Sequence, residues 1–162
     1  MNTEVDVLLG ALDVHRRHAM GIIEDLSDEQ LRSPCTPSRW CPLGMILHLA
    51  ASEHYWLHCM FAGLPADFHG HRTTELDLWD VSEHDRADEI FALYRHQIDE
   101  SNQLVRASTP NTAPKVRDAG WREGDFGTLR VILALVTGHT ATHAGHLDVA
   151  REFIDGRQWM VL

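Results

Sequence analysis

The sequence predicts an all-α fold, because apolar residues recur at helical spacing in four long segments and no segment alternates between apolar and polar residues. The chain has 162 residues with 44% hydrophobic content, which suffices for one core and is too short for two ordinary domains. We therefore predict one domain, residues 1-162, with helices at about 3-26, 42-62, 83-107 and 128-155.

The first predicted helix carries an apolar stripe that runs from Val5 to Leu26, with charged residues on its other side. The four residues from Ser27 to Gln30 have the form of a capping box. A short extra turn is therefore expected before the proline-rich stretch 33-38.

The second predicted helix begins at Pro42, where the missing N–H costs nothing, and it ends with Gly63 in the C′ position. It is apolar nearly all round, which predicts burial on several sides. The other helices, with or without a second subunit, would supply that cover, so a homodimer is one hypothesis.

The third predicted helix begins near Ser82, with Asp85 completing a capping box, and it stops before Pro110. The fourth runs from about Thr128 to Gly156. Two long connections, at 64-81 and 109-127, lie between predicted helices. Long connections are often functional, and these two leave the order of the helices open.

The charge balance argues against two classes of partner. A formal charge of −10 does not suit a surface that binds nucleic acid, because such surfaces cluster Lys and Arg. Lys115 is the one lysine, and no basic run is present to hold anionic lipid. We expect no nucleic acid and no membrane as partner.

Two further patterns predict a cytoplasmic protein. No apolar run reaches the roughly 18 residues of a membrane span, and the first residues lack the basic stretch of a signal peptide. The three cysteines, Cys35, Cys41 and Cys59, are odd in number and form no Cys-x-x-Cys pair, which favours reduced thiols.

Three histidines lie on one face of the fourth helix. His139, His143 and His146 are spaced at i, i+4 and i+7, so His143 is turned about 40° from His139 and His146 about 20° the other way. Burial of such a stripe requires partners for every ring nitrogen, and a metal ion is one such partner. A metal would need another ligand from elsewhere in the chain.

The second helix offers His48 as that ligand. The face around His48 is smaller and more polar than the rest of the helix, with Gly44, Ala51, Ser52, Tyr55 and Cys59 at helical spacing. A lone histidine on an apolar helix is more often a core residue, so His48 by itself predicts little. No zincin, di-iron, nucleophile-elbow, phosphate-loop or deaminase motif is present to compete with a single-metal site.

Two motifs resemble those of the DinB-like (YfiT-like) four-helix-bundle superfamily. WCPLGMILHLA at 40-50, followed by Glu53 and Trp56, resembles its second-helix motif. HTATHAGH at 139-146 resembles its last-helix motif His-x-x-x-His-Arg-Gly-Gln, with Ala and His in place of Arg and Gln. The continuation to residue 156 is similar to a mainly actinobacterial branch of that superfamily.

The resemblance implies a four-helix bundle in up-down-down-up order, commonly dimeric, with one divalent metal ion, Zn, Ni or Fe. Carried over by position, the ligands would be His48, His139 and His143. Some members use the metal to activate a low-molecular-weight thiol, such as mycothiol or bacillithiol, for transfer or isomerisation. Three protein ligands would leave an open position for water or substrate, as in catalytic metal sites.

The leading functional prediction is a metal-dependent transferase or isomerase that uses a low-molecular-weight thiol and a small-molecule substrate. The alternatives are a hydrolase that uses metal-activated water, or a non-catalytic dimeric protein that binds a metal or ligand. His146 lies about 4.5 Å farther along the helix axis than His143, so we expect it beside the ligands rather than among them.

Three neighbouring residues are weaker candidates for the site. Glu53 lies about 140° round the helix from His48, so a structural salt bridge is the preferred interpretation. Tyr55 and Asp148 would serve as a pocket hydroxyl and acid, although a core tyrosine and an exposed helical aspartate are commoner.

Two arginines and one loop complete the candidates. Arg130 or Arg151 would suit the carboxylate of a thiol cofactor, but surface ion pairs are the preferred interpretation for both. His69-Gly70-His71 falls in a predicted loop, where an adventitious surface metal site is conceivable.

Overall fold

The computed structural model describes residues 3–68, 71–72, 80–117, 120–122 and 124–159, with residues 71–72 described by their backbone. Within these ranges the chain is mostly helical, which confirms the all-α class. No helix among them is long and apolar enough to cross a membrane.

The described helical structure consists of five α-helices and one π-helical segment. In chain order these are α1 (Glu4–Ile22), α2 (Asp28–Arg32), α3 (Pro42–Glu53), the π-helical segment (His54–Phe61) that continues α3, α4 (Ala87–Arg106) and α5 (Leu129–Asp155).

Helix α1 ends earlier than predicted. The helix ends at Ile22 rather than near residue 26, because the following residues form tight turns and Asp25 takes a positive φ of 65°. Leu26 is buried all the same, so the apolar stripe continues into a turn that periodicity cannot distinguish from helix. The predicted capping box is confirmed, since Ser27 and Gln30 exchange side-chain and backbone hydrogen bonds at the start of α2.

The second helix begins as predicted and ends differently. Pro42 is the first residue of α3, and the Sγ of Cys41 accepts a hydrogen bond from the backbone N–H of Gly44 at 3.4 Å. After Glu53 the helix widens into the π-helical segment, which the apolar pattern did not reveal. Gly63 follows with a φ of 64°, the left-handed conformation predicted for this position.

The apolar second helix is covered by its own chain. Every side chain from Pro42 to His54 is buried within a single copy of the protein. This burial explains the all-round apolar pattern without a second subunit, so the homodimer stays a prediction.

The start of α4 corrects another prediction. Ser82 donates its backbone N–H to the Asp85 carboxylate at 2.7 Å, but the backbone N–H of Asp85 donates to the carbonyl of Ser82, which closes a turn. The helix itself starts at Ala87. The capping pattern at residue 82 therefore marks a turn before the helix, whereas Thr128 and Gly156 bound α5 as predicted.

The connection after the π-helical segment contains a feature that the sequence analysis did not predict. Strand β1 (Asp67–Phe68) pairs antiparallel with β2 (His71–Arg72) in a two-stranded sheet. Two residues per strand are too few to produce an alternating pattern, and this small sheet leaves the described chain mostly helical.

The second long connection closes the end of the π-helical segment. The backbone N–H groups of Lys115 and Val116 donate to the carbonyls of Phe61 and Met60, both at 3.0 Å. Carbonyls at a helix end have no partner within the helix, so this part of residues 109-127 satisfies two of them.

The core consists of two apolar clusters with a buried polar layer between them. Helix α1 packs along α5, and α3 packs along both α4 and α5. One cluster contains Ile22, Leu43 and Leu147, and the other contains Leu12 and Leu133. Along the helices, buried polar residues lie between members of the two clusters, with His48 one turn earlier on α3. We call them the polar layer: Arg16, His48, Ser52, Glu53, His54, Gln97, Ser101 and Thr140.

An ion pair anchors this polar layer. Arg16 and Glu53 are 2% and 1% exposed, and the guanidinium donates two hydrogen bonds to the carboxylate, one of them from Nε to Oε2 at 3.1 Å. Arg16 also donates to Asp13 at 2.6 Å and to Asn102 at 3.0 Å. The salt bridge expected of Glu53 is confirmed, and it joins α1, α3 and α4.

We expect Glu53→Gln to lower the free energy of unfolding by about 3 kcal/mol, because the change removes the buried counter-charge of Arg16 and leaves only the partly exposed Asp13 beside the guanidinium. Urea denaturation would measure the loss. Arg130→Gln is the matched control, since it breaks the exposed ion pair with Glu4 and should have far less effect. Equal stability of the two variants would contradict the assigned role of the buried pair.

Candidate metal centre

The three predicted histidines lie together in the structure. His48 comes from α3, and His139 and His143 come from α5. The Nε2 atom of His139 lies 3.1 Å from the Nε2 of His48 and 3.1 Å from the Nε2 of His143. One ligand atom from each ring falls within 4.8 Å of the others, so this cluster could hold a metal ion.

Local structure explains why these rings meet. His139 and His143 are one turn apart on α5 and project from the same side of the helix. The packing of α3 against α5 brings His48 opposite them. His48 is buried, whereas His139 and His143 are half-buried, so the cluster has a closed side and a more open side.

The nitrogen separations suit metal ligands. Imidazole nitrogens at 2.0–2.1 Å from a tetrahedral ion lie about 3.3 Å apart, close to the separations in this cluster. The ring of His48 is tilted by 45° to His139 and by 78° to His143, and the two α5 rings are at 74°. The rings therefore approach through their Nε2 edges and do not stack face to face.

Burial keeps two of these rings in the form that binds metals. It lowers the pKa of His139, and it lowers the pKa of His143 to about 4, with smaller contributions from His139 and His146. Metals bind the neutral imidazole, so a lowered pKa reduces competition from protons at neutral pH.

The opposite nitrogens of the α5 rings also have neighbours. The Oγ of Ser52 lies 3.5 Å from the Nδ1 of His139, and the Nδ1 of His146 lies 3.3 Å from the Nδ1 of His143. Such contacts fix the tautomer and the orientation of a ligating ring. The sequence predicts Ser52 on the face of His48 but indicates no role for it.

His146 lies where the helix geometry predicts. It is exposed, its ring centroid is 5.3 Å from that of His143, and it is 6.3 Å from the ring of Trp40. It contacts the far nitrogen of His143 and does not join the three Nε2 atoms.

Two weaker candidates, Tyr55 and Asp148, have other contacts in the described structure. Tyr55 is half-buried, with its ring edge against Trp56 at 5.3 Å. Asp148 is partly exposed and accepts a hydrogen bond from the Nε2 of His18 at 2.7 Å. Asp148 is therefore a hydrogen-bond partner of His18 on α1.

The two arginines differ from each other. Arg130 forms an exposed ion pair with Glu4, as expected. Arg151 is buried, which corrects the predicted surface pair: its guanidinium binds Asp155 and donates to the carbonyls of Ile22 and Glu24. It closes the turn after α1, where those carbonyls have no helical partner.

Two remaining predictions concern the cysteines and the loop histidines. The three cysteines form no disulfide in the described structure, and Cys41 and Cys59 are buried while Cys35 is half-buried. His69 and Gly70 lie outside the described residues, and so does the side chain of His71.

The family model for mycothiol-S-transferase matches residues 7–156, nearly the whole chain. The chain therefore belongs to the mycothiol-S-transferase family, a part of the DinB-like superfamily, and the resemblance of its motifs is confirmed. No curated protein and no solved structure matches the chain.

We expect the metal-free protein to lose stability as the pH falls from 6.5 to about 4. Burial holds the pKa of His143 near 4 in the folded state, against 6.5 for an ordinary histidine, so between these values the unfolded chain binds a proton that the native state does not. The contribution is complete above pH 6.5 and is lost on the way down to about 4.

Histidine NMR and urea denaturation across this range would measure both effects. His143→Gln is the control, because it should reduce the dependence of stability on pH in this window. A His143 ring that titrates near 6.5 in the folded apoprotein would contradict the account.

Proposed function

We propose that the protein is a metal-dependent transferase or isomerase that uses a low-molecular-weight thiol. Mycothiol is the first candidate for that thiol. Its site would hold one divalent ion, Zn, Ni or Fe, on His48, His139 and His143. The observation that carries the proposal is the approach of three Nε2 atoms, with 3.1 Å between His139 and each of the other two. The match to the mycothiol-S-transferase family supports a low-molecular-weight thiol as the substrate.

The donor set fits a catalytic ion rather than a closed structural one. Three neutral nitrogen donors suit several first-row metals, and they leave at least one coordination position for another molecule. A divalent ion bound there would lower the pKa of a coordinated thiol or water, so that a nucleophile forms at neutral pH.

The surrounding residues hold the ligands in place. Ser52 is buried and contacts the Nδ1 of His139, which favours a ring whose Nε2 is free for coordination. His146 contacts the Nδ1 of His143 in the same way from the exposed side. We propose that His146 is a positioning residue for His143 at the entrance to the site.

The scaffold of this proposal is one four-helix bundle domain, residues 1-162, in up-down-down-up order. Contacts at both ends of α1 support it: Glu4 pairs with Arg130 near the start of α5, and His18 pairs with Asp148 near its end, so these helices run in the same direction. Trp40 precedes α3 and contacts His146, which supports an antiparallel α3 and α5.

Two further properties belong to the proposal. A cytoplasmic location is supported by the three free cysteines. The homodimer rests on the resemblance to the superfamily.

We expect His48→Ala, His139→Ala and His143→Ala each to remove most of the metal that copurifies with the protein, because two imidazoles hold an ion far less tightly than three. Elemental analysis after gel filtration would measure it. His84→Ala is the matched control, an exposed histidine that should leave the metal content unchanged. His146→Ala should retain metal and lose activity, whereas a loss of metal equal to that of His143→Ala would make His146 a ligand.

We expect the metal-loaded protein to consume mycothiol in the presence of an electrophile, such as an epoxide or a halogenated aromatic compound. Chelation should abolish the reaction, and added metal should restore it in the wild type but not in His139→Ala. Titration of remaining thiol over time is the measurement. Turnover of an ester or amide panel without thiol would favour the hydrolase, and no turnover of either kind would favour a binding protein.

A further inference from the structure

A second pair of histidines is buried on the π-helical segment. His54 and His58 are 9% and 6% exposed, and the Nε2 atom of each is buried without a hydrogen-bond partner among the described residues. An unpartnered buried ring nitrogen is costly, because it has lost water and gained nothing in exchange. The buried pair therefore requires a partner. π-helical turns also occur often at functional sites.

A hydrogen-bond chain from α4 determines which nitrogen of His54 carries the proton. The Nε2 of Gln97 donates to the Oγ of Ser101 at 3.0 Å, which leaves the Gln97 Oε1 to accept from the Nδ1–H of His54 at 3.1 Å. With its proton on Nδ1, His54 presents a bare lone pair at Nε2. Gln97 and Ser101 are themselves buried, so the ring is held in this state.

The rings of His54 and His58 lie as close together as the rings of the three-histidine cluster, at an interplanar angle of 31°. Their centroids are 4.9 Å apart, and in the three-histidine cluster the corresponding separations are 5.0, 4.9 and 4.4 Å. The pair has the i, i+4 spacing that lets two imidazoles on one helix reach the same metal. Phe68 covers the other side of His54 at 5.0 Å.

Burial and neighbouring groups also keep His58 in the form that binds a metal ion. Burial lowers the pKa of His58, and His54 lowers it further, so this ring is in its neutral, ligating form at pH 7. The Glu100 carboxylate on α4 raises the pKa of His58, and His96 lowers it. Glu100 also lies 3.5 Å from the Nε2 of His96 on the surface of α4.

We propose that His54 and His58 form a second metal site, which binds one transition-metal ion such as Zn²⁺ through their two Nε2 atoms. Water would complete the coordination. Having two imidazoles, this site should bind more weakly than the three-histidine cluster, so it fills only after metal is added. The inference is independent of the proposed thiol chemistry, because no residue is shared between the two sites.

The first test is a zinc titration of the full-length protein, with bound metal measured after gel filtration. The wild type should bind two equivalents, and His58→Gln and His54→Gln should each bind one. His139→Ala should lose the tighter equivalent and keep the weaker one, and the exposed His84→Gln should keep both. Circular dichroism and thermal melting would verify that each variant is folded.

The second test avoids substitution. In the wild type with ¹⁵N-labelled histidine, the second equivalent of zinc should move the Nε2 resonances of His54 and His58, after the first has moved those of the three-histidine cluster. Binding of one equivalent only, or a second equivalent that leaves both buried rings unmoved, would overturn the proposal. Neither outcome depends on whether the three-histidine site transfers a thiol.

Discussion

The protein depends on a polar layer that crosses its core between two apolar clusters. Burial of polar side chains is tolerated only where each finds a partner, so this layer fixes which residues of the helices must face one another. Arg16 must meet Glu53, and Gln97 must meet His54 and Ser101. Apolar packing alone would allow the helices to slide by a turn, whereas these pairs specify one arrangement.

The candidate metal centre belongs to the same layer. On α5 the histidines occupy the stretch between Val136, in one apolar cluster, and Ala144, in the other. A metal ion there would supply the three Nε2 atoms with a shared partner, so binding would complete the polar layer as well as provide an open coordination position. Assembly of the core and assembly of the site are thus the same event in this account.

The sequence predicts what local spacing determines and fails where a partner comes from another helix. His139 and His143 share a face because they are one turn apart, and Gly156 ends α5 because it can adopt a positive φ. Arg16 and Gln97 look like surface residues in sequence, because their buried partners are distant along the chain. The π-helical segment could not be predicted, because a run of apolar residues gives the same sequence pattern in an α-helix and in a wider π-helix.

The central claim is that three imidazoles hold one metal ion and leave room for a thiol. X-ray absorption spectroscopy of the protein loaded with one equivalent of zinc, before and after addition of mycothiol, tests it most directly. The account predicts three imidazole nitrogens at about 2.0–2.1 Å, and a new sulfur at about 2.3 Å once the thiol is added. A zinc ion with four protein ligands, whose spectrum is unchanged by the thiol, would contradict it.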